Sequence, residues 1–191
     1  MKYNDRFLYL MQDFSDMLAL HVVKQLFDLD GKNTRDIVLV INSDGGDVEA
    51  LFAIHDAIKM VKSDVATICI GHAFSCAANL LIAGTKGKRF MTPISSIMFH
   101  EMTAKIDGST STINDEMVSI KHYSSMFTKF AKDNLHPEHY KQVLRPRKDI
   151  YFNAEQALEI GAIDHIVTNV SDMLAILNPT PIIPCGQKSS S

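Results

Sequence analysis

Three observations make this sequence an α/β protein built on a parallel sheet. Ile37 to Ile41 is an unbroken apolar run, the pattern of a strand covered on both faces. The turn Asn42-Ser43-Asp44-Gly45-Gly46-Asp47 follows, and Val48 to Val61 then carries apolar residues at helical spacing (Val48, Leu51, Phe52, Ile54, Ile58 and Val61). The order repeats at once: apolar Val65–Ile70, a glycine-led turn from Gly71, and the apolar stretch Asn79–Ala83 entered through Ser75. Two strand–turn–helix units in succession are the signature of parallel pairing.

The other elements follow in order. Phe7–Leu10 reads as a first strand, and Ser15 caps a helix that runs through Met17, Leu18, Leu20, Val22, Val23, Leu26 and Phe27. Gly31-Lys32-Asn33 is a turn. After Gly84 come short strands at Lys88–Met91 and Ser96–His100, then a turn at Asp107-Gly108. Ile113 to Phe130 is a long helix whose apolar positions (Met117, Ile120, Met126, Phe127, Phe130) are diluted enough by polar ones for it to project from the body. Pro137 opens a short helix, where its missing N–H costs nothing. Asn153 and Gln156 form a capping box, Gly161 ends that helix, and Ile163–Val167 is a last strand. Residues 1–177 are expected to form one domain, and the three-proline tail 178–191 to be loose.

Composition narrows the function. A net charge of −3 gives no reason to expect nucleic acid or an anionic membrane as a partner. Three cysteines (Cys69, Cys76, Cys185), odd in number and without metal-ligand spacing, suggest a reducing compartment and no disulfide framework. The polar start, Met1 to Arg6, is unlike a signal peptide, and no apolar run is long enough to span a bilayer. The expectation is a cytoplasmic protein.

Ser75 is the most informative residue. Set between a strand and a helix, its hydroxyl stands beside unpaired amides, which suits either an N-cap or a nucleophile with an oxyanion to stabilise. Among eight histidines, His100 is distinctive because it ends the apolar strand Ile97-Met98-Phe99. It reads as a general base or as a satisfied core residue. His72, three residues before Ser75, is placed to reach a substrate. Asp149, ahead of Ile150-Tyr151-Phe152, reads as an orienting acid or a solvated charge in the run Arg145-Pro146-Arg147-Lys148. Gly45-Gly46 is either a tight connection or a place where a ligand approaches the main chain. It is not a phosphate loop, since it lacks the lysine and the glycine spacing.

Together these segments resemble the proteolytic subunit of the Clp protease family. The resemblance is carried by Ile41-Asn42-Ser43-Asp44-Gly45-Gly46, Ala53-Ile54-His55-Asp56, Asp64–Gly71, Ala73-Phe74-Ser75, Lys86–Phe90, Met98-Phe99-His100, and Asp149 with Ala154–Asp164. It implies a crotonase-type fold with a helical handle at about residues 104–136. It further implies a serine endopeptidase with Ser75 as nucleophile, His100 as base and Asp149 as orienting acid. The oxyanion hole would be the N–H groups of Gly46 and Cys76, and an extended peptide would lie along Gly45, Gly46, Asp47, Val48, Glu101 and Met102. No metal or cofactor is implied. The implied partners are further copies of the chain in seven-membered rings (a tetradecamer), an AAA+ unfoldase, and unfolded protein or peptide substrates.

Several positions depart from the family pattern. Asp44 replaces a proline, Cys76-Ala77 replaces Met-Gly, and Glu101-Met102 replaces Gln-Pro. Val38 and Val40 stand where tyrosines often line the unfoldase-docking groove, and the segment before the first strand is short. Such a compact version suits a phage-encoded or accessory subunit. Two other readings are a nearly inactive ring subunit that co-assembles with a competent paralogue, and a crotonase-fold enzyme acting on coenzyme A thioesters. The second has no need of a serine–histidine–aspartate set.

Overall fold

The computed structural model describes residues 3–103, 106–144 and 148–177. After a single 3-10 turn (Tyr3–Arg6), the order is β1 (Phe7–Leu10), α1 (Asp16–Lys32), β2 (Ile37–Ser43), α2 (Val48–Met60), β3 (Val65–Phe74) and α3 (Cys76–Ile82). Then come β4 (Arg89–Met91), β5 (Ser96–Phe99), α4 (Thr110–Asn134), α5 (Tyr140–Val143), β6 (Ile150–Asn153), α6 (Ala154–Glu159), β7 (His165–Ile166) and α7 (Val170–Leu177).

The parallel sheet is present, in the order β1-β2-β3-β4-β7. Its centre is β3, which is longer than the sequence reading suggested: the segment from Gly71 to Phe74 is strand, not turn. The first half of β3 pairs with β4 through Thr67, Ile68 and Cys69, and the second half pairs with β5 through His72, Ala73 and Phe74. Between the halves the register with β2 slips, from Ile41↔Cys69 to Ser43↔Ala73. Gly71 sits in that slip at φ +81°, where an added Cβ would lie 2.8 Å from the Asn42 amide oxygen. The glycine therefore makes a bulge that re-aims the strand, and this is why a turn residue stands inside a strand. β5 carries β6 antiparallel on its other side.

The caps follow the sequence. Ser15 accepts from Leu18 N and starts α1; Asp47 accepts from Ala50 N and starts α2; the Asn153–Gln156 capping box starts α6. Gly31 and Lys32 lie inside α1, which stops only at Asn33. The long helix runs farther than its apolar positions alone indicated, from a Ser109 cap to Asn134. Its first half is exposed, as expected of a projecting handle, while its second half docks on α2: the Phe52 ring meets Tyr123, Phe127 and Phe130 at 5.8–6.1 Å. The Tyr123 hydroxyl also donates to Glu49 at 2.6 Å. The last strand is only two residues long, and the helix after it, α7, was not foreseen, although Asn169 caps it by accepting from Asp172 N. Met173 and Leu177 of α7 pack in one cluster with Val38, Val40, Ile68 and Phe90. Val38 and Val40 are thus core residues here, not the floor of an open groove. The tail from residue 178 lies outside the described residues, and among those described no helix is long and apolar enough to cross a membrane.

One buried ion pair ties the handle to the sheet. Arg89, 3% exposed, donates to both Asp164 oxygens (2.9 and 2.6 Å), and its Nη1 donates to the Asn134 carbonyl at the end of α4 (2.9 Å). Burial alone would raise the Asp164 pKa, but the hydrogen bonds and charge of Arg89 outweigh it and hold the carboxyl below its ordinary value. The sign follows. This stabilisation is present above the usual carboxylate pKa and is lost as strong acid protonates Asp164 through its lower folded value. Asp164→Ala leaves the buried Arg89 charge with backbone carbonyls but no counter-charge and should cost about 3–5 kcal/mol at neutral pH. Urea unfolding checks this, and the difference from the parent protein should shrink in strong acid.

Candidate active site

The site begins with a backbone anomaly. Ser75, between β3 and α3, has φ +55° and ψ −119°, the one positive φ among the described non-glycine residues. Such a conformation costs about 1–3 kcal/mol and persists only where neighbours impose it. Here the Ser75 N–H donates to the Met98 carbonyl (2.8 Å), which prolongs the β3–β5 ladder by one bond. The Ser75 carbonyl accepts from the Asn79 N–H (3.1 Å) and from the Asn79 side chain (3.0 Å). Gly45, at φ +100°, presses on the elbow from the other side: a Cβ there would lie 2.7 Å from the Phe74 oxygen and 2.8 Å from Ser75 Cβ.

The serine side chain makes no capping bond. Its Oγ instead lies 2.7 Å from His100 Nε2. Of the two roles open to Ser75, the geometry therefore fits the nucleophile, with an imidazole in proton-transfer range. His100 is half-buried and stands just past the end of β5. Asp149 is exposed, and among the described residues it forms no hydrogen bond or ion pair with His100. Its backbone position is nonetheless specific. The antiparallel register pairs Phe99 with Ile150, so the next step of the same ladder sets residue 149 opposite residue 100. The structure brings two of the three residues into contact and holds the third across the ladder.

The other expected site residues divide. A cavity of about 240 Å³ opens beside Ser75; Gly46, Val48, Cys76, Glu101 and Met102 line it. Gly45 lies behind the serine rather than on the cavity wall. Asp47 is also set apart, because its carboxylate caps α2 and its N–H donates to the Phe14 carbonyl (3.1 Å). Phe14 backbone packs against one side of Gly46, while Gly46 also lines the cavity. His72 lies 3.2 Å from Asp44, and its ring meets Phe74 in a tilted contact at 4.7 Å. Cys76 is buried, with Sγ 3.2 Å from the Gly46 carbonyl, and burial pushes its thiol up to about 11. It is a protonated neighbour of the nucleophile and not a rival to it.

Some residues were missed. Asn79 stands four residues after Ser75, a helical spacing that marks it as a partner once the serine is suspected. Phe127 and Leu144, which also line the cavity, come from α4 and the segment after α5, and no local signal ties them to Ser75.

Residues 1–170 match the Clp protease family model. The chain belongs to the Clp protease family. It is 40% identical over 166 residues to the ATP-dependent Clp protease proteolytic subunit of Carsonella ruddii, an alignment that covers 85% of this chain and 84% of the relative. It is 39% identical over 170 residues to proteolytic subunit 2 of Prochlorococcus marinus strain MIT 9312, covering 88% and 84%. Gly45 packs directly against the Ser75 elbow. Gly45→Ala should fold yet lose about tenfold or more in the rate of Ser75 labelling by a fluorophosphonate, because both the positive φ and the contact with Ser75 resist a methyl group. Stopped-time labelling against the parent protein measures it.

Proposed function

We propose that this Clp-family serine peptidase hydrolyses peptide bonds through an acyl-enzyme on Ser75. The observation that carries the reading is the 2.7 Å contact between Ser75 Oγ and His100 Nε2 at a strained elbow beside an open cavity. In the first half-reaction Oγ attacks the substrate carbonyl carbon while Nε2 takes its proton. The carbonyl oxygen becomes an oxyanion, received by the N–H groups of Gly46 and Cys76. Collapse breaks the C–N bond, and Nε2 delivers the proton to the departing amine. Water then attacks the Ser75 ester, its proton goes to Nε2, and the acid product leaves with Ser75 restored. Asp149 serves as the orienting acid when it turns toward His100 Nδ1. Directly opposed residues of an antiparallel pair have Cβ atoms about 4.5–5.5 Å apart, so a rotamer change spans the gap.

Substrates are unfolded chains or peptides, held extended between the Gly46–Val48 segment and the Glu101–Met102 segment. Recognition through the main chain is tolerant of sequence. Val48, Met102, Phe127 and Leu144 give the cavity an apolar wall for one substrate side chain. The reading extends to a cytoplasmic particle made of rings of this chain. A partner ATPase that docked on the β2 face would first have to displace α7, which covers Val38 and Val40. One observation favours the alternative of a weakly active ring subunit, namely that Asp149 is disengaged.

Ser75→Ala should abolish both fluorogenic-peptide cleavage and fluorophosphonate labelling. Asp149→Asn should keep the labelling site but lower kcat by about tenfold or more. An Asp149→Asn protein as fast as the parent sinks the third member of the set, and purified chain that cleaves no peptide on its own favours the structural subunit. Light scattering on the eluting protein should give a mass of many chains. A stable monomer counts against the ring.

A further inference from the structure

The Gly46 amide has a use only if something fixes its direction, and the structure shows what does. Phe14 lies in the loop between β1 and α1, far in sequence from the serine. Its N–H donates to the Gly45 carbonyl at 2.7 Å, and its carbonyl accepts from the Asp47 N–H at 3.1 Å. Phe14 and Gly46 form an isolated parallel bridge. Every described peptide bond is trans, so a Gly45 carbonyl aimed at Phe14 sends the Gly46 N–H the opposite way. Gly46 lines the cavity on that opposite side, together with Ser75, Cys76 and His100.

We propose that Phe14 is a positioning residue for the reaction: its main chain clamps both peptides that flank Gly46 and aims the Gly46 N–H at the place where the oxyanion forms. This rests on the serine-peptidase reading above. The clamp is close. A Cβ on Gly46 would lie 2.6 Å from the Phe14 oxygen and 2.8 Å from its nitrogen, so only glycine lets the two segments meet. It is also anchored. The Phe14 side chain is 3% exposed in the main core, and the next residue, Ser15, caps the 17-residue helix α1. On the far side the Cys76 thiol donates to the Gly46 carbonyl at 3.2 Å, so Gly46 is held from both faces while its N–H stays directed at the cavity. An amide fixed in advance needs no reorganisation as charge develops, which is the condition for it to favour the transition state over the substrate.

The decisive change removes one hydrogen and keeps the side chain. Incorporating phenyllactate at position 14 by nonsense suppression turns the Phe14 N–H into an ester oxygen. In the full-length protein, kcat for a fluorogenic peptide should fall about tenfold to a hundredfold with KM within about twofold. The inhibition constant of a peptide aldehyde, which forms the oxyanion on Ser75, should rise in step with the loss of kcat/KM. Circular dichroism and particle mass should stay as in the parent. Phe14→Leu, which keeps the N–H and most of the bulk, should retain kcat within about threefold. A folded ester variant with the parent's kcat, or one whose loss lies in KM alone, overturns the proposal. Should the ester variant not fold, Gly46→Ala prises the same contact apart from the other side, and parental kcat there overturns it equally. A parent activity that survives Ser75→Ala brings down the serine-peptidase reading itself, and this proposal with it.

Discussion

Everything at the site depends on holding Ser75 in a backbone conformation that a serine does not choose. The cost is about 1–3 kcal/mol. Three hydrogen bonds touch the residue's own peptide groups: Ser75 N–H to Met98, and two from Asn79 to the Ser75 carbonyl. At about 0.5–1.5 kcal/mol each they are of the size needed to offset the strain. What they secure is direction. An ordinary N-cap geometry would turn the hydroxyl back on the first turn of α3, where it would satisfy amides. The elbow turns it toward His100 instead.

The forked strand explains how distant residues meet there. β3 spends its first half in the main sheet and its second half beside β5, and the bulge at Gly71 separates the two. Ser75 ends β3, His100 follows β5, and Asp149 precedes β6, the strand paired with β5. One small three-stranded unit thus carries residues 75, 100 and 149 at one end, and Gly46 follows the neighbouring β2. The handle enters at the same place: α4 also lines the cavity, and Arg89 fixes the end of that helix to the sheet through Asn134 and Asp164.

The parts of this that the sequence made legible were those with local causes. The fully apolar run at Ile37–Ile41 identified a central strand, and Ser15, Asn153 and Gln156 identified helix starts, because capping is decided within four residues. The fork was not legible. Gly71 signalled a break, and a glycine signals a turn and a bulge alike; only the pairing with β2 and β5 decides between them. Ile163–Val167 reads as one strand, and the stretch after it as unassigned chain before the tail at 178, whereas pairing with β4 limits β7 to two residues and α7 follows. At the site, Ser75 and His100 were singled out by position, each polar at the end of an apolar element. Asp149 was indistinguishable from a solvated charge until the resemblance named it. Phe14 gave no signal at all, because it acts through its main chain and its side chain is merely core.

The uneven state of the three residues has a physical reading. The serine–imidazole contact is built from half-buried groups fixed by strand ends, so it forms without help. An exposed carboxylate facing an imidazole is a surface pair, worth about 0–1 kcal/mol and screened by salt. Such a pair sits near balance between joined and apart. Whatever excludes water from this end of the β5–β6 ladder lowers the local dielectric and strengthens the aspartate–imidazole attraction several-fold. The pair is then joined only when water is kept from that end of the sheet.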